Sequence, residues 1–126
     1  MNSNKKPNGE LAIRTLAMPA DTNPNGDIFG GWVLSQMDIA GGIITKKRAG
    51  GKTVTVAVDA MQFHLPVKVG DVLCCYVELI KIGRTSLTVK IEAWASREYS
   101  SERIMVTEGE FTYVAINDQH KPIPVK

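Results

Sequence analysis

The chain has 126 residues, of which 44% are hydrophobic, and both values are typical of a single globular domain. Its 15 Lys and Arg nearly balance its 13 Asp and Glu, which gives a formal net charge of +2. This balance gives no reason to expect nucleic-acid binding, which usually shows a clustered basic surface. Mild basicity is still compatible with an anionic small-molecule ligand.

The N-terminal sequence MNSNKKPNGE is polar and lacks the apolar stretch of a signal peptide. No segment of the chain approaches the length of a membrane span. Cys74 and Cys75 are adjacent, so in a strand they point to opposite faces, and we expect both to be reduced and buried. Two cysteines alone do not make a metal site. These features predict a cytoplasmic protein without membrane insertion and without a bound metal.

The first part of the chain predicts a tail, a strand and a long loop. Residues 1–9 are rich in Asn and Lys and predict a flexible N-terminal tail. Residues 11–18 are apolar and predict a short strand, which Pro19 ends. The loop over residues 21–31, DTNPNGDIFGG, is dense in the residue types that form turns.

A long helix is predicted over residues 30–48, because apolar residues recur there at spacings of three and four. The residues that form this apolar face are Val33, Met37, Ala40 and Ile44. Three basic residues suit the last turn of the helix, and the glycine pair at 50–51 ends it.

The rest of the chain predicts four strands in a meander, followed by a C-terminal tail over residues 119–126. The predicted strands cover residues 54–63, 72–82, 86–95 and 104–116. Strand 54–63 is apolar on both faces, as expected at a subunit junction. Trp94 is apolar on an otherwise polar face and suggests a second contact surface. The order of elements lacks βαβ alternation and indicates an α+β fold with an antiparallel sheet.

Asp38 lies in the middle of the predicted helix, with Gly41 and Gly42 one turn further on. Glycine inside a helix costs roughly 1 kcal/mol relative to alanine, so this pair suggests that another group approaches the backbone closely. In one interpretation Asp38 is a solvated acid and the glycines end the helix early. In the other, Asp38 is a partly buried carboxylate that lines a ligand groove and acts as a base. The absence of other carboxylates between Asp27 and Asp59 favours the second interpretation.

Gly30 and Gly31 open the predicted helix with bare backbone N–H groups at its positive end. Such a terminus stabilises an anion, including the oxyanion that develops during acyl transfer. The simpler interpretation is a glycine cap after a loop.

The segment DTNPNGDIFGGWVLSQMD strongly resembles the start of the helix in hotdog-fold acyl-CoA thioesterases, in particular their bacterial YciA-type branch. The segments VTVAVDAMQF, VGDVLCCY, KIGRTS and EFTYVAIND continue the resemblance in the same order. It covers one domain over residues 10–118. The resemblance implies a five-stranded antiparallel sheet wrapped around one long central helix. It also implies a homodimer with active sites at the interface, and often a hexamer built as a trimer of dimers.

For the chemistry, the resemblance implies hydrolysis of acyl-CoA to free fatty acid and CoA without a separate cofactor. Asp38 matches the family's acid, which acts as general base or nucleophile. Asn23 matches a loop asparagine that works with the acid of the neighbouring subunit. The backbone of Gly30 and Gly31 matches the group that polarises the thioester carbonyl. The region that lies near CoA in the family matches Gly83, Arg84, Thr85 and Ser86.

One departure from the family is Phe29, which stands where many relatives have a histidine, so a histidine base is excluded at that position. His64 and His120 are expected at a strand end and in the tail. Two alternative functions stay open. One is a hotdog dehydratase, although that chemistry usually pairs a histidine with an acid and the loop before the helix has no histidine. The other is a non-catalytic acyl-CoA-binding hotdog protein. A serine hydrolase would require a GxSxG elbow, which the sequence lacks. The preferred length of the acyl chain stays open.

Overall fold

The computed structural model describes residues 6–97 and 100–125. Over these residues the chain forms a five-stranded antiparallel sheet and one long helix. The elements are β1 (Glu10–Leu16), α1 (Gly30–Ala49), β2 (Thr53–Phe63), β3 (Val72–Ile82), β4 (Ser86–Ser96) and β5 (Arg103–Ala115), with a 3-10 turn at Pro19–Asp21 before α1. The predicted helix and strands are confirmed, with ends within two residues of the predicted bounds.

The strands are ordered β1-β3-β4-β5-β2 across the sheet, and every neighbouring pair is antiparallel. The strands β3, β4 and β5 follow one another as hairpins, but β2 pairs with β5 rather than with β3. The predicted meander is therefore wrong for β2. The reason is that α1 packs against every strand as it crosses the inner face, so it delivers β1 and β2 to opposite edges of the sheet.

The hydrophobic core lies between α1 and the inner face of the sheet. Full burial of a large apolar side chain contributes about 1.5–3 kcal/mol, so the buried face of α1 fixes the rotation of the helix. That rotation also fixes the direction in which Asp38 points. The buried core includes Val33, Met37 and Ala40 from α1, and Leu73, Cys75, Val89, Ile91, Phe111 and Tyr113 from the sheet.

The outer face of the sheet carries a second, smaller cluster around Trp94, which is only 2% exposed. The indole N–H of Trp94 donates to Glu92 over 2.9 Å, and Cys74 and Tyr76 pack beside the ring. The prediction that Trp94 marks a contact surface is wrong, because side chains of its own sheet cover it. Cys74 and Cys75 are unbonded and buried on opposite faces, as predicted.

The ends of the described chain are held by hydrogen bonds to the sheet. The backbone N–H and side-chain amide of Asn8 donate to the carboxylate of Glu92 over 3.2 Å and 3.1 Å. At the other end, the N–H of Val125 donates to the carbonyl of Arg84 over 2.9 Å. Of the two predicted tails, residues 1–5 and residue 126 lie outside the described residues.

Strand β2 forms an edge of the sheet, and its valines are exposed on both sides. Val54, Val56 and Val58 are 37%, 55% and 39% exposed, respectively. A bulge interrupts the strand at Ala60, which adopts a φ of +54°. An apolar edge of this kind invites pairing with another strand. Within the described ranges, no helix is long and apolar enough to cross a bilayer.

Candidate active site

Asp38 points from α1 toward β2 and β5, where two hydroxyl groups hold its carboxylate. The Thr55 hydroxyl donates to Asp38 Oδ1 over 2.6 Å, and the Tyr113 hydroxyl donates to the same atom over 2.9 Å. Hydrogen bonds to an ionised acceptor are about twice as strong as neutral ones. No described group donates to Oδ2 of this half-buried carboxylate. One oxygen is therefore fixed, and the other is available to a ligand or a water molecule.

Tyr113 acts toward Asp38 as a hydrogen-bond donor. Burial raises the pKa of Tyr113 well above its ordinary value, and the hydrogen bond to Asp38 raises that pKa further. The phenol therefore keeps its proton throughout the physiological pH range. Its hydroxyl also lies 2.8 Å from the backbone carbonyl of Asp38, so it contacts both the main chain and the side chain of the acid. We expect Tyr113 to position Asp38 and not to act as a base.

The two glycines of the pair at 41–42, which follows Asp38, lie in different surroundings. A β-carbon at Gly41 would overlap the Tyr113 hydroxyl and would lie 2.8 Å from Ile91 Cδ1. The predicted close approach to the backbone is therefore confirmed at Gly41, and the approaching group is Tyr113. At Gly42, nothing lies within 4 Å of the position of a β-carbon. Neither glycine ends the helix, which continues to Ala49.

Gly42 faces a groove that begins at Asp38 and follows α1 toward its C-terminal end. The groove has a volume of about 520 Å³ and lies between α1 and β2. Its apolar walls are Ile39 and Ile43, which are 51% and 45% exposed. The remaining lining residues are Thr53, Thr55 and Tyr113 on the sheet, with Lys46 and Lys47 at the far end.

The N-terminus of α1 opens onto a second cavity of about 220 Å³. The carbonyl of Phe29, the N-cap residue, accepts the N–H groups of Trp32 and Val33 over 3.1 Å and 3.3 Å. The N–H groups of Gly30 and Gly31 are the next donors at this end, and they have no partner among the described residues. The apolar lining of the cavity comes from Ile28, Val33, Phe63, Leu65, Pro66 and Val67. Two free donors at the positive end of a helix suit a polarised carbonyl oxygen.

Asn23 shapes the loop that leads into α1. Its side-chain oxygen accepts the N–H groups of Asn25 and Asp27 over 2.9 Å and 3.1 Å, which is an Asx-type turn. The side-chain N–H₂ group of Asn23 has no partner in the part of the chain that the structure describes. Asn23 therefore has a structural role through its oxygen and retains a free donor.

A single chain does not bring Asp38 and the glycine pair at 30–31 together. Gly30 and Asp38 are eight positions apart in the sequence. At 1.5 Å per residue, this separation is about 12 Å along the helix axis. A reacting carbonyl must lie about 3 Å from its polarising donors and within reach of the acid. The two predicted halves of the site therefore cannot act on one carbonyl within one chain.

The predicted CoA-binding segment, residues 83–86, forms the hairpin between β3 and β4. The Gly83 N–H donates to the Ser86 carbonyl over 2.8 Å, and the Thr85 carbonyl accepts the Ala115 N–H over 2.9 Å. The hairpin lies at the same end of the sheet as Tyr113, because Tyr113 pairs with Leu87, the second residue of β4. The Arg84 side chain is exposed and forms no ion pair with a described residue.

His64 follows β2 and lines the cavity at the N-terminus of α1, whereas Asp38 lines the groove. His64 Nε2 lies 2.8 Å from a carboxylate oxygen of Glu108, and this contact, with Lys90, holds the pKa of Glu108 below its usual range. Across residues 6–97 and 100–125, no group of three or more His, Cys, Asp or Glu side chains is arranged to hold a metal ion.

Two residues of the site, Thr55 and Tyr113, were not predicted from the sequence. Both lie in predicted strands, and they become neighbours through the pairing of β2 with β5. The sequence does contain an indirect sign of Tyr113, because Gly41 marks the place where its hydroxyl meets the helix.

The chain is similar to a known protein family and to several of its members. Residues 25–101 match the family model of the thioesterase superfamily. The chain is similar to the acyl-CoA thioester hydrolase YciA of Salmonella typhimurium, with 53% identity over 122 residues that cover 94% of this chain and 92% of the relative.

Two solved structures are also similar to this chain. A hexameric thioesterase from Yersinia pestis is 57% identical with a TM-score of 0.92, and the match covers 96% of this chain and 98% of that one. A hexameric hotdog fold thioesterase of Campylobacter jejuni is 40% identical with a TM-score of 0.88, and the match covers 94% and 91% of the two chains.

Proposed function

The chain belongs to the thioesterase superfamily and hydrolyses acyl-CoA thioesters, and we propose that Asp38 is the catalytic carboxylate of this reaction. The predicted hotdog fold and acyl-CoA hydrolase activity agree with these relatives, so the dehydratase and non-catalytic alternatives are set aside. The observation that carries the proposal is the orientation of the carboxylate. Two hydroxyl groups fix Oδ1, and Oδ2 is open on the wall of a groove.

Two chemical routes are compatible with this arrangement. In the first, Asp38 takes a proton from a water molecule that attacks the thioester carbon, after which the C–S bond breaks and CoA leaves. In the second, Asp38 attacks the carbon itself, CoA leaves, and water hydrolyses the resulting mixed anhydride. In both routes the N–H groups of Gly30 and Gly31 stabilise the negative charge that develops on the carbonyl oxygen. Protein groups supply the chemistry in both routes, and CoA takes part only as a portion of substrate and product.

The complete site is proposed to form between two subunits of a homodimer. Asp38 of one subunit would face Gly30 and Gly31 of the other, because about 12 Å of helix separates these groups within one chain. The exposed valines of β2 support this arrangement, since pairing two β2 strands would bury them and continue the sheet. Three such dimers would give a hexamer, the state named for the Yersinia and Campylobacter structures.

The remaining predicted residues have supporting roles in this proposal. The free side-chain N–H₂ group of Asn23 is proposed to hold the thioester carbonyl or the attacking water beside Asp38 of the neighbouring subunit. Arg84 is proposed to bind a phosphate of CoA, because its guanidinium group suits phosphate and its side chain is exposed. Gly83, Thr85 and Ser86 would shape the same contact.

We further propose that residues 10–118 form the catalytic domain between the two predicted tails. A cytoplasmic location is proposed because Cys74 and Cys75 are both unbonded, whereas disulfides are typical of oxidising compartments.

The test of the proposed function is release of free thiol from a panel of acyl-CoA substrates by wild-type protein and by Asp38→Asn. We expect kcat to fall by roughly a hundred-fold or more, the scale of a lost general base. Circular dichroism and light scattering should show unchanged folding and assembly. Glu102→Gln, which removes an exposed carboxylate outside the site, is the matched control. Near-wild-type turnover by Asp38→Asn would refute the assignment.

A further inference from the structure

Gly42 weakens α1 without a reason in the packing of the chain. A glycine inside a helix is less favourable than an alanine. At Gly41 this disadvantage has a steric explanation, because the Tyr113 hydroxyl occupies the space of a β-carbon. At Gly42 that space is empty to a distance of 4 Å. Nothing in the described chain therefore requires a glycine at position 42, whereas a ligand that used this space would.

The empty space at Gly42 is part of the groove that begins at Asp38. Residues four apart lie on the same face of a helix, so Gly42 is one turn beyond the carboxylate along the groove wall. Ile39 and Ile43 flank it and are about half exposed. A side chain at position 42 would occupy part of this groove, one helical turn from the Asp38 carboxylate.

We propose that the groove binds the acyl chain of the substrate and that Gly42 sets the size of the chain it accepts. This inference rests on the proposed role of Asp38. Exposed Ile39 and Ile43 favour hydrocarbon, whose burial against them is stabilising. The pantetheine arm of CoA fits the helix side of the groove less well, because Ile39 and Ile43 offer its two amide groups no hydrogen-bond partners. The polar lining residues lie on the sheet side and at the far end of the groove.

The experiment uses the complete protein and compares acetyl-, butyryl-, octanoyl- and palmitoyl-CoA. Relative to acetyl-CoA, we expect kcat/KM for palmitoyl-CoA to fall roughly ten-fold in Gly42→Ala and roughly a hundred-fold in Gly42→Leu, the range by which apolar pockets discriminate. Inhibition by free CoA should be unchanged. The Tm of Gly42→Ala should rise, because alanine favours the helix. Gly51→Ala is the matched control, since its β-carbon also meets nothing within 4 Å but lies outside the groove.

Three results would overturn the proposal. One is an unchanged chain-length profile in Gly42→Leu. Another is an equal loss for all substrates together with weaker inhibition by free CoA, which would assign the groove to the pantetheine arm. The third is loss of assembly in Gly42→Ala, which would mean that the glycine serves subunit contact. A different result, wild-type turnover by Asp38→Asn, would refute the proposed function.

Discussion

The molecule contains a packed region and an open region, and they differ in how complete they are within one chain. The packed region consists of β3, β4 and β5 with the face of α1 that lies on them, and each of these strands has a neighbour on both sides. The open region consists of β2 and the adjoining face of α1, where Val56 is 55% exposed and the groove lies. Tyr113 belongs to the first region, and Asp38 faces the second. The packed region thus orients the acid, while the open region is the proposed position of the substrate and of a second subunit.

The largest expected effect is in the open region. A subunit-exchange experiment tests whether another subunit completes the active site there. Asp38→Ala should retain about 1% of wild-type activity or less, and Asn23→Ala should lose kcat more than stability. After subunit exchange, half of the dimers are mixed and one of their two sites carries neither substitution, so about a quarter of all sites are intact. Thiol release by the mixture should therefore exceed the average of the two mutants measured separately.

Each mutant exchanged with itself is the control for this experiment, and native mass spectrometry verifies that mixed dimers form. If mixed dimers are present without a gain in activity, Asn23 and Asp38 do not act across the interface. An active monomer in light scattering would remove the shared site altogether.

The next effect concerns the packed region, where Gly41 and Tyr113 are in contact. Gly41→Ala should lower the free energy of unfolding by about 1–3 kcal/mol, because the new β-carbon overlaps the Tyr113 hydroxyl. Displacing that hydroxyl should also lower kcat. Urea denaturation measures the first effect and thiol release the second.

The double variant Gly41→Ala/Tyr113→Phe sharpens this prediction, because removing the hydroxyl makes room for the β-carbon. It should recover part of the lost stability but not the lost activity. Additive stability losses in this double-mutant cycle would show that the two residues are not coupled.

The smallest effect concerns Ala60, at the bulge of the open region. Its positive φ costs an L-residue roughly 1–2 kcal/mol, and the greater freedom of an unfolded glycine offsets roughly 0.5–1 kcal/mol. Ala60→Gly should therefore raise the free energy of unfolding by about 1 kcal/mol or less. Ala57→Gly is the control in the same strand, where φ is not positive, and it should destabilise the protein. A lower Tm for Ala60→Gly would contradict the argument.

The same contrast explains how much could be predicted from the sequence. The bounds of the helix and strands and the position of Asp38 in the middle of the helix were predictable, because alternation and helical spacing are local properties of the chain. The contacts of Thr55 and Tyr113 with Asp38 were not, because they depend on the long-range pairing of β2 with β5. The burial of Trp94 escaped prediction for a related reason, since neighbouring strands supply the groups that cover it. Gly41 was predictable in part. The sequence shows a glycine that destabilises the helix, but it does not show that the Tyr113 hydroxyl is the group that requires it.

The contact of one phenol with both the side chain and the main chain of Asp38 has a consequence for catalytic entropy. The Tyr113 hydroxyl lies 2.9 Å from Oδ1 and 2.8 Å from the backbone carbonyl of the same residue, so rotation of the carboxylate would break a partly buried hydrogen bond. Fixing a side chain has an entropic cost whenever it is done. For the proposed catalytic role of Asp38, that freedom is lost once, when the chain folds, and does not have to be lost each time a substrate reaches the transition state.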